Sequence, residues 1–108
     1  MITLAIRYTV DVNKLADFET YVRALPSQIE RAGGKVAGYY LPTKLAGPTN
    51  AALGLIDCPN LAAYEAYRAK LAADPEAADN LRRAEAAGCI LNEERSFIRS
   101  VVGSASWA

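Results

Sequence analysis

The chain has 108 residues, 52% of them hydrophobic and 22% charged, which suits one globular domain and excludes a disordered chain. Its 12 basic and 12 acidic residues give a net charge of zero without any basic stripe, which argues against a nucleic-acid partner. The chain contains no histidine, so it lacks the commonest metal ligand and general base, and its longest apolar run is too short to span a bilayer.

The first predicted elements are a strand and a long helix. Residues 2–10 alternate between apolar and polar side chains, as in a half-buried strand, and Asp11 or Asn13 can cap the helix that follows. The apolar stripe of this helix consists of Leu15, Phe18, Val22, Leu25 and Ile29. Because Pro26 falls within the stripe, we expect the helix to kink or break near Leu25.

Three strands and two helices are predicted after Gly33-Gly34, which ends the first helix. The predicted strands cover residues 35–41, 51–58 and 89–102, and the predicted helices begin at Pro59-Asn60 and Asp74-Pro75. This β-α-β-β-α-β order, with an extra helix in the second half, predicts an α+β, ferredoxin-like fold. We expect a single domain over residues 1–103 and a C-terminal tail at 104–108.

An internal repeat supports this arrangement. Residues 10–21 read VDVNKLADFETY and residues 56–67 read IDCPNLAAYEAY, with Asp11 and Asp57 lying 46 residues apart at equivalent positions. Each copy joins a strand to a helix, so the two halves are related by pseudo-symmetry. The helices then cover one face of a four-stranded antiparallel sheet.

The helix-free face of this sheet predicts self-association. Leu53 and Leu55 alternate with other apolar residues on the third strand, so both faces of the sheet are apolar near its middle. We expect two copies to pair sheet against sheet as a homodimer, or to form a larger oligomer. The amino terminus alternates as a strand and lacks the features of a signal peptide, which favours a cytoplasmic location without a membrane partner.

The two copies of the repeat differ at positions that predict a site. Phe18 and Val22 of the first helix correspond to Tyr64 and Arg68 of the second. If the second helix buries the same stripe, Arg68 must be paired or reach water, because an isolated buried charge is costly. Tyr64 and Arg68 then offer a phenol and a cation to an anionic or carbonyl-bearing ligand.

A purely structural interpretation of Arg68 stays open, in which it extends past the helix or pairs with Asp57 or Asp74. Further candidate ligand-binding residues are Tyr8, Tyr39 and Asn50, whose ordinary roles are packing and turn formation. Arg95 and Arg99 on the last strand are interpreted as a solvated edge. No motif assigns a catalytic residue, a metal site or a cofactor.

A distinctive set of residues surrounds the second helix, namely Asn50, Leu61, Tyr64 and the stretch from Tyr67-Arg68 to Asp74-Pro75. In these residues the chain resembles the NIPSNAP family, which belongs to the dimeric α+β barrel superfamily. The resemblance implies a ferredoxin-like fold and a homodimeric barrel, and it covers nearly the whole chain. It implies no catalytic residues. Neighbouring families are cofactor-free monooxygenases, isomerases and haem enzymes, the last of which the absence of histidine disfavours.

Three functions follow from these observations. The first is a homodimeric protein that binds a small, partly apolar ligand without catalysis. The second is a cofactor-independent monooxygenase or isomerase acting on an aromatic or carbonyl-bearing molecule, with Tyr64 and Arg68 stabilising an oxyanion. The third is a structural dimeric module in which Arg68 fixes the second helix.

Overall fold

The computed structural model describes residues 1–102 and shows helices packed on one side of a four-stranded antiparallel sheet. The strands are β1 (Ile2–Val10), β2 (Lys35–Tyr40), β3 (Ala51–Cys58) and β4 (Ile90–Ile98), and the helices are α1 (Leu15–Ala32), α2 (Leu61–Ala73) and α3 (Pro75–Ala87). The strand order β2-β3-β1-β4 and the element order confirm the ferredoxin-like α+β fold, with α3 as the extra helix. The predicted tail at 104–108 lies outside the described residues.

Short polar residues and glycines determine where the helices begin and end. The Asn60 side chain accepts a hydrogen bond from the Ala63 N–H at 2.9 Å and starts α2. Asp74 accepts one from the Glu76 N–H at 3.0 Å and starts α3. Gly33, with a φ of 102°, ends α1 in the left-handed conformation that glycine adopts without strain. Within residues 1–102, no helix is both long and apolar enough to cross a membrane.

The helix α1 continues through Pro26, so of the two predicted alternatives the break near Leu25 is wrong and the kink stays a prediction. A proline in a helix removes one backbone hydrogen bond and crowds the preceding turn. Here the residues on both sides of it are anchored in the core, since Leu25 is 6% exposed and Ile29 is 1% exposed. This burial on both sides of the proline keeps the 18 residues in one helix.

The strand β4 ends at Ile98, earlier than the predicted Val102. It lies at the edge of the sheet and pairs only with β1, and Ile98 is opposite Thr3 near the beginning of that strand. Beyond Ile98 the chain continues past the end of β1, so the backbone groups of the residues that follow have no strand to pair with.

The main core fills the space between the sheet and the helices. Its most completely buried large side chains include Phe18 and Ile29 of α1, Val10 of β1 and Ile56 of β3. We call the side of the sheet that these residues share the helix side, and the opposite side the helix-free face. The molecule is a flat slab with extents of 38 × 35 × 19 Å.

Candidate ligand-binding site

The helices leave β4 largely uncovered. Seven of its nine residues are exposed, and only Ile90 and Ser96 are half-buried. The pairing of β4 with β1 sets Phe97 opposite Leu4 and Glu93 opposite Tyr8, so these β4 side chains point to the helix side. The side chains between α2 and β4 are therefore partly open to solvent, and we call this region the β4 cleft.

Six side chains define the β4 cleft, namely Tyr8, Tyr39, Tyr64, Glu93, Arg95 and Phe97. Its apolar wall is formed by Tyr64 of α2 and Phe97 of β4, whose rings meet edge to face with centroids 4.9 Å apart. The Phe97 side chain is nevertheless 47% exposed. An exposed aromatic pair of this kind offers a surface on which another ring can pack.

An ion pair lies at the sheet side of the cleft. The Nε and Nη2 atoms of Arg95 donate to the same oxygen of Glu93, Oε1, at 3.1 and 2.7 Å. Both side chains are half open to solvent, with 40% of Arg95 and 31% of Glu93 exposed. Burial acts to lower the pKa of Arg95, but its hydrogen bond to Glu93 and the carboxylate charge raise it, so Arg95 stays charged.

The floor of the cleft is formed by two phenols. Tyr8, which is 3% exposed, and the half-buried Tyr39 have hydroxyl oxygens 3.2 Å apart. Burial raises the pKa of Tyr8 well above its usual value of 10.0, and the neighbouring Tyr39 raises it further. Burial likewise raises the pKa of Tyr39, so both phenols are neutral hydrogen-bonding groups at pH 7.

We expect the fold to lose stability above about pH 10, the pKa of an exposed tyrosine. Burial raises the pKa of Tyr8, Tyr21 and Tyr67 in the folded protein, so the unfolded chain releases these protons at lower pH. The resulting stabilisation is complete below pH 10 and is lost as the pH rises beyond it. In a pH titration, we expect the absorbance of these tyrosinates at 295 nm to rise at the same pH at which circular dichroism reports unfolding. Ionisation of Tyr8 in a folded protein, judged against Tyr8→Phe, would contradict this.

Three of the five predicted ligand-binding residues meet in the cleft, namely Tyr8, Tyr39 and Tyr64. Asn50 is placed at the start of β3, where its backbone carbonyl accepts a hydrogen bond from the Val10 N–H at 2.9 Å. This extends the β1–β3 pairing and brings no Asn50 side-chain contact to the cleft.

Arg68 does not face the core, so the premise that α2 buries the same stripe as α1 is wrong. The buried residue of α2 is Tyr67, and Arg68 is exposed. The stripe of α2 runs through Tyr64, Tyr67 and Leu71, so it continues at Tyr67 instead of Arg68, which avoids burying a guanidinium. A ligand-binding role for Arg68 stays a prediction.

The two carboxylates expected beside Arg68 have other partners. Asp57 accepts a hydrogen bond from the Thr3 hydroxyl at 2.5 Å. Asp74 pairs with Arg31 at 2.8 Å, and this hydrogen bond lowers the pKa of Asp74. Within residues 1–102, Arg68 forms no ion pair. The predicted pairing with Asp57 or Asp74 is therefore wrong.

Glu93 and Arg95 were not among the predicted site residues. Arg95 is exposed on the edge strand, as the interpretation of a solvated edge expected, and it is also paired with Glu93. Residues 93, 95 and 97 are spaced two apart, so on a strand their side chains lie on the same face. Phe97 on that face signals contact with the helix layer. The signal was therefore present in the two-residue spacing of the last strand.

Comparisons with known proteins agree with this fold. An Agrobacterium tumefaciens NIPSNAP family protein of unknown function has a similar structure, with a TM-score of 0.82 at 19% identity over 97% of this chain and 92% of that one. An uncharacterised Burkholderia xenovorans NIPSNAP domain protein gives 0.76 at 20% identity over 97% and 96%. SnoaB, a cofactor-independent oxygenase from Streptomyces nogalater, gives 0.63 at 15% identity over 96% of both chains, which shows the shared fold alone.

No curated protein matches the chain. The NIPSNAP family model matches residues 4–105, a range that begins within β1 and includes the other strands and helices described above and all six side chains of the β4 cleft. This confirms the resemblance inferred from the sequence. The chain belongs to the NIPSNAP family.

Proposed function

We propose that this protein is a homodimer that binds a small, partly apolar ligand in the β4 cleft of each subunit. The observation that carries the proposal is the Glu93–Arg95 ion pair, partly exposed near the partly exposed rings of Tyr64 and Phe97. Few polar groups set in an apolar concave surface are the usual composition of a small-molecule site. The buried phenols Tyr8 and Tyr39 add hydrogen-bonding groups at its floor.

The position of the ion pair favours a binding role over a structural one. Both partners belong to β4, two residues apart, so their contact ties no separate elements together. A partly exposed pair of this kind contributes about 0–1 kcal/mol to stability. Backbone pairing and the core already stabilise this part of the fold. The pair is therefore available to a ligand.

Thermal-shift screening tests the binding site. We expect aromatic or carbonyl-bearing compounds to raise the melting temperature of the wild-type protein, and Arg95→Met to lose about tenfold or more in affinity for them, as for a hydrogen bond to a charged group. Arg82→Met, on the exposed side of α3, removes the same charge away from the cleft and should leave affinity unchanged. Equal affinity in wild type and Arg95→Met would contradict the site.

Including Arg68→Met separates the two arginine candidates. Arg68 is exposed on α2, one residue after the buried Tyr67. Because α2 does not turn Arg68 toward the core, we expect this variant to bind as the wild type does. Loss of binding in Arg68→Met with retention in Arg95→Met would instead support the site predicted from the sequence.

The helix-free face supports the homodimer. Leu53, Leu55 and Ala5 occupy its middle, and Arg7 lies opposite Glu94 in the β1–β4 pairing. Arg7 and Glu94 give this face one charge of each sign, so a second copy packed against it can offer a carboxylate to a guanidinium. The slab is 38 × 35 Å across, broad enough for the roughly 800 Å² per partner of a stable interface.

Light scattering tests the dimer. We expect a mass twice the 11.6 kDa of one chain at micromolar concentration, and a single-chain mass for Leu55→Arg, since a guanidinium in a packed apolar interface is uncompensated. Leu81→Arg places the same change on α3, where the leucine is 44% exposed, and should stay dimeric. A single-chain mass for the wild type would contradict the dimer.

A second candidate function is cofactor-independent catalysis, either isomerisation or monooxygenation. In this alternative, the Glu93 carboxylate takes a proton from a carbon beside a carbonyl, and the neighbouring Arg95 stabilises the resulting enolate oxygen. An isomerase returns that proton at another carbon. A monooxygenase instead consumes O2, converting a CH2 group to C=O and releasing water. Product formation or oxygen uptake with the screening hits, lost in Glu93→Gln, tests this alternative.

A further inference from the structure

We propose that the Glu93–Arg95 pair makes the β4 cleft selective for uncharged aromatic ligands that carry both a hydroxyl and a carbonyl group. The proposal rests on the ligand-binding function proposed above and specifies the chemistry of its ligand. It follows from which atoms of the pair are already used and which form no hydrogen bond among the described residues.

The first step is the charge of the site. Arg95 directs two of its donors, Nε and Nη2, at a single oxygen of Glu93. The guanidinium is thereby compensated, and the cleft presents a neutral pair rather than a free cation. A ligand carboxylate would have to approach Glu93 as well as Arg95, and like charges at contact distance oppose binding.

The second step is the hydrogen-bonding capacity that is left. Among the described residues, Nη1 of Arg95 and Oε2 of Glu93 form no hydrogen bond. Nη1 is a pure donor and Oε2 is a pure acceptor. A ligand carbonyl satisfies the first and a ligand hydroxyl satisfies the second, whereas a ligand with only one of these groups leaves a charged atom unpaired.

The third step is the apolar wall. The edge-to-face pair of Tyr64 and Phe97 spans the cleft from α2 to β4, and both rings are partly open to solvent. An aromatic ligand extends this arrangement and covers Phe97, which is 47% exposed. The wall thus selects a flat ring, and the ion pair selects the substituents on it.

Calorimetric titration with two compounds of equal shape tests the selectivity. The probes are 3-hydroxyacetophenone, which is neutral at pH 7, and 3-hydroxybenzoate, which is an anion. We expect the wild-type protein to bind the ketone about tenfold or more tightly than the carboxylate. Acetophenone, which lacks the hydroxyl, should bind about tenfold more weakly than 3-hydroxyacetophenone, as for a lost hydrogen bond to a charged acceptor.

Glu93→Gln identifies the cause of the preference. This variant keeps the shape of the side chain and frees the charge of Arg95, so the ratio of ketone to carboxylate affinity should fall by about tenfold or reverse. Glu30→Gln removes the same charge from an exposed position of α1 and should leave the ratio unchanged. Circular dichroism establishes that both variants are folded.

The outcomes separate this inference from the function on which it rests. Equal or tighter binding of the carboxylate by wild type, or a ratio that Glu93→Gln does not change, overturns the ligand class. The ligand class is also overturned if 3-hydroxyacetophenone does not bind while other compounds of the screen bind in a way that depends on Arg95. In each of these cases the proposed binding function stands. Absence of binding by every compound in the screen, both probes included, overturns both proposals.

Discussion

Replacing Phe18 with alanine is expected to lower the free energy of unfolding by about 3–5 kcal/mol, the usual cost of emptying a buried phenylalanine site. Phe18 is completely buried in α1, and its ring meets that of Tyr8 edge to face with centroids 5.1 Å apart. For a domain of this size the loss corresponds to a melting temperature lower by roughly 15–30 °C. Denaturant unfolding at a fixed protein concentration measures it, since self-association makes stability concentration-dependent.

The second phenylalanine of the chain is the matched control. Phe97 is 47% exposed and packs mainly on Tyr64, so Phe97→Ala removes little buried area and should cost about 1 kcal/mol. Equal losses from the two substitutions would show that Phe18 does not occupy the centre of the core. Because Phe18 also supports Tyr8 at the floor of the β4 cleft, any Phe18→Ala protein that stays folded should bind ligand more weakly.

Most of the fold could be predicted because its signals are local and occur twice. The alternation of residues 2–10 and the caps at Asn60 and Asp74 are readable from neighbouring residues alone. The features that could not be read depend on distant parts of the chain. Pro26 stays inside a helix because core contacts hold both sides of it, and β4 ends where β1 no longer accompanies it.

The site was predicted in part, and the errors have a common physical origin. Tyr8 and Tyr39 contact each other and Tyr64 packs on Phe97, while a ligand-binding role for all three stays a prediction. A helical stripe through Tyr64 can continue at Tyr67 or at Arg68, since spacings of three and four share a face. Because burying a guanidinium is costly, Tyr67 is buried and Arg68 is not. The two-residue spacing also predicts that residues 93, 95 and 97 share one face of β4, but it does not indicate whether the helices lie on that face of the edge strand. That depends on the tertiary packing.

Gly54→Ala is expected to destabilise the protein by about 1–3 kcal/mol and to weaken ligand binding, because the Tyr39 ring lies directly over Gly54. The two residues are opposite each other in the β2–β3 pairing. A Cβ atom at Gly54 would lie 2.5 Å from Cε1 and 2.6 Å from Cζ of Tyr39, so the ring must leave its place. Its hydroxyl then loses the contact with Tyr8. Gly47→Ala, where no atom lies within 4 Å of the added carbon, is the control.

A double-mutant cycle with Tyr39→Ala establishes whether the ring is the cause. Tyr39→Ala alone should also destabilise, because it uncovers the glycine that the aromatic ring shields. Once the ring is absent, the added methyl group meets no obstacle, so Gly54→Ala should then cost less than about 0.5 kcal/mol. Strictly additive losses would mean that Gly54 acts through its own backbone. The predicted coupling would instead show that a glycine on β3 positions a phenol of the β4 cleft, which links the packing of the sheet to ligand binding.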